Sequence, residues 1–544
     1  PAREAPLPAP PSGAGLVSVS LSAANSGNHG FAFGHMFRQG DLRASSSLQG
    51  LQLTVFSTWP DGSAKFALVA GAASFAANVA TAATLVVGTA PSGSALVTAD
   101  LKATGIAATL AAGSFGSVSW AGTDWDAPHR TWATGPVMSS WLYRKPVGSD
   151  PTLVAWLEVR LWSTGQVEVL PWVENGYVSV GGPLQTNKSA TYTFALGGSQ
   201  RFSAAIDLPA RARTPLLSGQ QLSHWLGTDP GMVVRHDAAY LMSTRTVPNY
   251  TQAVPDANLR TTAGFTPLEQ GLYPNGMGQP GYHASIGLLP DWDAAYLVNA
   301  SAAPWKEVQR QAYRAGRFGI HFRDETTLKP AKLSSYPNTV FHNQNSLQAG
   351  ASTTNSYSAN SSGTAAAPYA FSHHPSTGFM AALITGRCYH VETCQFVASL
   401  PLLTMQDIQR NYGSGRYRTW SHLQVRGMAW SLRSVAQAIA VTPDSDSLQA
   451  EYRAHIDETV SFNHARYVAQ ASNPLGFMDM VNPGGADENG VATGGSYTGT
   501  NQNPYADARW MHDFVVGAVG YVRGLTGDIG ANQSKLIGWF EWLP

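Results

Sequence analysis

Two adjacent histidines, His373 and His374, stand between Phe371-Ser372 and Pro375, just before an apolar run that begins near Thr377. Imidazole has an ordinary pKa closer to neutrality than any other side chain, so the pair reads as a proton carrier at a loop-to-helix junction. Pro375 suits a first helical turn, and a helix N-terminus disfavours the imidazolium, which leaves a neutral base. The plainer reading is that one ring caps the helix while the other packs against Tyr369 or Tyr389. No carboxylate follows at ligand spacing, so no metal is expected here, nor any other cofactor.

A second set lies on one predicted helix, 420–441. His422, Arg426, Ala429 and Arg433 recur at i, i+4, i+7 and i+11, which places them on one face. A guanidinium fork matches the two oxygens of a carboxylate, so this stripe, with Trp420 at its start, would anchor an acidic ligand. Buried ion pairs or a solvated face would explain it equally. A third set, His321-Phe322-Arg323-Asp324-Glu325, offers an arginine and two carboxylates just beyond a helix. Asp324 and Glu325 are adjacent and cannot face each other across a glycosidic bond, although either could pair with Asp291, Asp293 or Asp479. A structural salt bridge from Arg323 is the alternative. Trp225, Tyr282, Tyr417 and Tyr505 sit in or beside loops where sugar rings could stack, and core packing is the alternative for most tryptophans. The chain has no G-x-S-x-G elbow, no P-loop and no dinucleotide fingerprint.

The elements that must position these residues fall into two halves. Up to about residue 210 the period is two. Strands are expected at 51–57, 64–70, 136–143, 152–162, 166–173, 189–196 and 201–208, with Trp59-Pro60-Asp61-Gly62 and Ser163-Thr164-Gly165 as turns. Many short strands with glycine turns mean a sandwich or barrel. The mostly Ala and Gly stretch 66–88 reads as two strands rather than a membrane span. After about residue 231 the period becomes helical, at 291–299, 305–318, 377–385, 388–400, 420–441, 448–469, 506–525 and 534–542. Antiparallel helices of this length fit a toroid or bundle. The expected organisation is therefore a stub at 1–15, a β-domain at 16–215 and a helical domain at 216–544. Two long polar loops, 249–283 and 329–369, are places for function.

The 544 residues exceed one ordinary domain. Charged residues make up 12%, about half the usual share, and 34 basic residues balance 34 acidic ones, so no excess of positive charge exists to bind nucleic acid. The two cysteines, Cys388 and Cys394, make neither a disulfide framework nor a zinc site, and on one helix they stand too far apart to bridge unless a kink near Gly386 intervenes. Ten of the 15 histidines follow residue 280, which assigns histidine chemistry to the helical half. A polar, aromatic, weakly charged composition with a Pro/Ala-rich start suits a secreted or periplasmic protein that handles a polar ligand.

Two segments carry a resemblance. Phe33-Gly34-His35-Met36-Phe37-Arg38-Gln39-Gly40-Asp41, followed by Trp59-Pro60-Asp61-Gly62-Ser63-Ala64-Lys65-Phe66-Ala67, resembles the N-terminal RIFT-barrel domain of bacterial exo-rhamnogalacturonan-lyase-like proteins. In the second half His374-Pro375-Ser376, Leu383-Ile384-Thr385-Gly386 and the run from Arg426 to Arg433 resemble secreted bacterial proteins that pair a β-domain with an (α/α) toroid, as many polysaccharide lyases do. The Asn-His-Tyr-Arg signatures of the alginate and hyaluronan lyase toroids do not appear. The resemblance implies a secreted lyase that cleaves a uronic-acid-containing glycan by β-elimination. In that reading His374 or His373 is the base and Tyr417 the acid, while Arg426 and Arg416, helped by Asn343 or His342, hold the carboxylate. A toroid glycoside hydrolase using Asp324 or Glu325, and a glycan-binding protein without turnover, are the alternatives.

Overall fold

The computed structural model describes residues 15–178, 185–274, 283–336, 360–362, 366–369, 373–403, 425–469, 478 and 509–543. Five strands come first: β1 (Gly15–Ser22), β2 (Gly27–Met36), β3 (Gln52–Thr58), β4 (Ala64–Phe75) and β5 (Thr81–Val86). The short helix α1 (Thr98–Ala103) precedes β6 (Ala108–Ala112), β7 (Ser117–Trp120), β8 (Arg130–Ala133), β9 (Met138–Pro146), β10 (Val154–Trp162) and β11 (Val167–Asn175). The β-region closes with β12 (Gln185–Thr186), β13 (Lys188–Leu196), β14 (Ser199–Leu208), β15 (Ala212–Pro215), β16 (His224–Leu226) and β17 (Val233–Arg235). The antiparallel sheets have the orders β2-β4-β3, β17-β1-β5, β14-β13-β6-β7 and β15-β11-β10-β9-β8, the last with β16 also paired to β11.

The helices follow as α2 (Ala238–Ser243), α3 (Asp291–Val298), α4 (Ala303–Arg314), α5 (Phe379–Thr385), α6 (Cys388–Leu403), α7 (Val425–Val441), α8 (Leu448–Asn463), α9 (Arg509–Thr526) and α10 (Gln533–Trp542). A last short strand, β18 (Asn360–Ser362), pairs parallel with β12. The protein is thus mixed β and α, with antiparallel sheets first and helices later. The sheet region runs twenty residues beyond the expected end at 215, because β16 adds to β11 and β17 adds to the edge of β1. Strands of three residues are too short to display a period, so sequence reading stops before them. The 66–88 stretch is β4 and β5, as its composition implies. No helix among the described residues is long and apolar enough to cross a membrane.

Every residue of β10 and β11 is buried, because the sheet they belong to is covered on both faces. Successive side chains of a strand point to opposite faces. Ala155, Leu157, Val159 and Leu161 of β10 join Val167, Val169 and Val173 of β11 in a core shared with β6, β13 and β14. The alternate residues Trp156 and Trp162 join Leu170 and Trp172 in a core shared with the helices. Trp156 lies directly opposite Trp172, and the rings stack at 5.7 Å. The charged residues Glu158, Arg160, Glu168 and Glu174 have the same parity, so all four face the helical side.

The helices meet this layer closely. A Cβ on Gly34 of β2 would sit 2.2 Å from the carbonyl oxygen of Leu383 in α5, so only glycine lets strand and helix touch there. Gly386 ends α5 in the left-handed conformation, with φ +61°, that favours glycine at a helix C-terminus. Helix α7 is buried along its whole length and packs against α6, α8 and α9. A helix enclosed on every side tolerates few polar groups, which makes Arg426, Arg433, Ser434 and Gln437 informative.

Candidate functional site

Helix α7 assembles the histidine cluster. Arg433 donates from Nη2 to the carbonyl of His374 (2.9 Å) and from Nη1 to the carbonyl of Gly287. One turn on, Gln437 accepts a hydrogen bond from Ser376 Oγ (2.7 Å) and donates to the carbonyl of Leu288 (3.2 Å). One helix face therefore clamps two distant chain segments against each other. As a result the rings of His283 and His373 meet edge to face, with centroids 5.6 Å apart. Arg433 is fully buried, and burial pushes its pKa down to about 10, which leaves it cationic at neutral pH. Its guanidinium also lies over the Trp430 ring at 5.0 Å.

His373 is 4% exposed. Burial first, then the positive charge of Arg426, then His283, push its pKa down to about 4. Its imidazole is therefore neutral throughout the physiological range. Arg426 stands two turns before Arg433 on α7, on the same face, and is itself buried. The predicted stripe thus divides its labour: Arg433 holds the backbone, while Arg426 adds its charge to the burial that depresses His373.

His374 points elsewhere. It is 1% exposed, its ring stacks on Tyr369 at 5.6 Å, and its Nε2 lies 3.2 Å from Ser434 Oγ. Tyr369 in turn donates to the carbonyl of Pro375 (2.7 Å). This is the packing arrangement that the sequence left open for one of the pair. Both histidines have an arginine of α7 in their surroundings: Arg433 holds the His374 carbonyl, and the charge of Arg426 acts on the His373 ring.

Arg323 is a structural cation and not a substrate-facing one. It is fully buried and ion-paired to Glu174 of β11 and to Glu392 of α6, the latter at 2.8 Å. Arg213 of β15 pairs with the same Glu392 at 3.2 Å and donates to Thr393 Oγ1 (2.6 Å). Burial alone would raise the Glu392 carboxyl; the guanidiniums of Arg323, Arg213 and Arg130 outweigh it and hold the pKa at about 2. Asp324 is also committed. Its Oδ1 accepts from the backbone of Thr326 (2.9 Å) and Thr327 (2.6 Å), and its Oδ2 accepts from the Tyr336 hydroxyl (2.9 Å). Those bonds close its own turn. Glu325 is exposed beside it. Of the suggested partners, Asp291 pairs with Arg260 at 2.7 Å and Asp293 is buried with its pKa raised well above the usual range by burial, then by Asp291.

His342, Asn343, Arg416, Tyr417, Trp420, His422 and Asp479 lie outside the described residues. Cys388 and Cys394 are free thiols, both buried in α6. Among the described residues no group of three or more His, Cys, Asp or Glu side chains has a metal-binding arrangement. Sequence reading missed His283. Its only signal was its place at the end of the long polar loop, and its neighbour in space is ninety residues away in the chain. Comparison with family models, with curated proteins and with solved structures finds no match to this chain.

Proposed function

We propose that this protein is a secreted or periplasmic bacterial polysaccharide lyase that cleaves a uronic-acid-containing glycan by β-elimination, with a RIFT-barrel-like β-domain followed by an (α/α) toroid. The observation that carries the reading is the buried, neutral His373 imidazole within the electrostatic reach of the Arg426 guanidinium. Elimination at a uronic acid needs both. The carboxylate must be neutralised so that the C5 proton becomes acidic, and a neutral base must take that proton. Arg426 supplies the charge and His373 the base. As the C5–H bond breaks, the C4–C5 double bond forms and the C4–O bond breaks. Tyr417 protonates the departing oxygen, and Arg416, Asn343 and His342 share the carboxylate. His422 and Trp420, outside the described residues like Tyr417, Arg416, Asn343 and His342, are assigned further contacts with the sugar chain by the resemblance alone.

The test is a panel of uronate polymers read by ultraviolet absorbance and by reducing-end assay together. Elimination gives new reducing ends with a conjugated double bond, and hydrolysis gives the ends without the absorbance. His373→Ala is expected to lower turnover by roughly 10²- to 10⁴-fold while thermal unfolding stays near that of the wild type. Near-normal turnover in a folded His373→Ala protein removes this residue from the mechanism. Binding without turnover on every polymer favours a glycan-binding protein.

A further inference from the structure

On the sheet that ends in β8, the face turned towards the helices carries two arginines side by side. Arg130, the first residue of β8, lies directly opposite Leu142 of β9. Arg144, two residues further along β9, lies directly opposite Trp156 of β10. Equal parity puts all four side chains on one face. Diagonal neighbours on adjoining strands stand about 7–8 Å apart, so two arginine forks can close on one small group between them. The Arg144 guanidinium lies 5.6 Å from the centre of the Trp156 ring, and the His129 ring meets the same indole edge to face at 5.4 Å. His129, Arg130 and Arg144 are all partly exposed.

The charges around this patch are matched in pairs, and these two are not. Behind it, Arg323 and Arg213 are neutralised by Glu174 and Glu392. Glu392 and Asp446 lie within electrostatic reach of Arg130. Asp446, however, is paired with Lys329 at 2.9 Å, and Glu392 is already shared by two arginines. The Cys388 thiol, 3.8 Å from Arg130 Nη1, is neutral because burial pushes its pKa well up. His129 is neutral too: burial first, then Arg130, with Arg144 and Arg323 adding and Glu392 opposing, push its pKa down to about 4. Arg130, Arg144, Arg323, Arg213 and Lys329 thus stand against Glu174, Glu392 and Asp446, which leaves two positive charges over.

The hydrogen-bonding capacity is also unspent. Arg144 donates from Nη2 to the Tyr177 hydroxyl (2.6 Å). Its Nη1, and Nε and Nη2 of Arg130, make no hydrogen bond among the described residues and are not among the nitrogens sealed from solvent. Neither arginine makes an ion pair among the described residues. Like charges held side by side repel, and an anion between them turns the repulsion into attraction.

We propose that Arg130 and Arg144, with His129, bind a doubly charged tetrahedral oxyanion, either free phosphate or the phosphate group of a monoester. A dianion matches the two uncompensated charges, and its oxygens accept from both guanidinium forks. A single carboxylate supplies one charge and occupies one fork. The neutral imidazole of His129 adds one N–H donor. The patch shares no residue with the cluster of His373 and Arg426, so it stands whether or not the chain is a lyase.

Inorganic phosphate, glucose 6-phosphate, galacturonate and digalacturonate test this, each titrated into the full chain by calorimetry at one low ionic strength and at about pH 7.5, where phosphate is mainly a dianion. At least one phosphate compound is expected to bind saturably, one to one, and more tightly than either uronate. Tighter binding of the ester assigns the site to a phosphorylated ligand, and tighter binding of the ion assigns it to free phosphate. Arg130→Gln should weaken binding roughly ten- to a hundredfold, and Arg130→Lys, which keeps the charge without the fork, should weaken it less. Arg144→Gln should match Arg130→Gln; because Arg144 packs on Trp156, the Arg130 pair decides the matter if that variant does not fold. Arg201→Gln, exposed on β14, removes the same charge elsewhere and should change nothing. His373→Ala should also leave binding intact, so failure here and failure of the lyase reading are separable. No saturable binding of either phosphate compound, tighter binding of a uronate, or equal losses in Arg130→Gln and Arg201→Gln would each overturn the proposal.

Discussion

A histidine kept neutral by burial, and further by the charge of a guanidinium, is a weak base until that charge is cancelled. His373 sits near pKa 4 through burial, Arg426 and His283. A uronate carboxylate that pairs with Arg426 removes part of the depression and strengthens the base at the moment of reaction. The acidic limb of kcat/KM, which reports the free enzyme, is therefore expected near pH 4, and the limb of kcat, which reports the complex, at higher pH. Pre-steady-state and steady-state pH profiles on an active uronate polymer would check it; coincident limbs would separate Arg426 from the substrate. Arg426→Lys keeps the charge and loses the fork, so turnover should fall roughly ten- to a hundredfold while the kcat/KM limb stays in place. A shifted limb with unchanged turnover would mean that Arg426 acts on His373 and not on the ligand.

Elements here are joined by backbone contact and by buried charge. At the β2–α5 contact, a methyl group at Gly34 meets two main-chain carbonyls and an amide of α5 within 3 Å, none of which can rotate away. Gly34→Ala should destabilise by about 1–3 kcal/mol or more, read as a lowered denaturant midpoint at constant slope. Between β11, β15 and α6, the carboxylate of Glu392 neutralises Arg323 and Arg213 together. Removing one partner of a buried ion pair strands the others without solvent, so Glu392→Ala should cost about 3–5 kcal/mol. The exposed Glu325→Ala is its control, expected within about 0.5 kcal/mol. Equal stabilities for the two variants would show that the cluster holds nothing together. The element boundaries themselves were largely legible. β3, β4, β10, β11, β13 and β14, and helices α3 to α10 as far as they are described, fall within a few residues of their expected ranges, because each is long enough to show its period. β16 and β17 were not legible, being defined only by the strands they join.

At the scale of the whole molecule, burial has left many histidines unable to take a proton. His236 and His224 are pushed down to about 4 and His455 to about 3 by burial, and His35, His321 and His390 lie well below the usual value for the same first reason. In the unfolded chain each titrates at its ordinary value of 6.5. Above that pH neither state binds the proton and stability is complete. As pH falls from 6.5 towards 4 the unfolded chain takes up protons that the folded one refuses, so stability is lost. At pH 5 each such group withdraws about 2 kcal/mol, and several together rival the whole stability of a domain. Acid unfolding followed by circular dichroism should have its midpoint between about pH 4 and 6. A protein still folded at pH 3 would contradict the burial of these rings.

The sequence by itself determined that strands come first and helices later, and which of its residues were chemically able to act, since periodicity, turn chemistry and residue type are properties of a short stretch of chain. Roles were decided elsewhere. Arg323 and Arg426 are the same residue type and both are buried, yet one meets Glu174 and Glu392 while the charge of the other acts on His373. Likewise His373 and His374 are neighbours, and only the packing of α7 turns one ring to Tyr369 and the other to His283. A side chain's charge state and task depend on what lies within a few ångströms of it, and in this fold those neighbours come from distant parts of the chain, so only the tertiary structure could assign them.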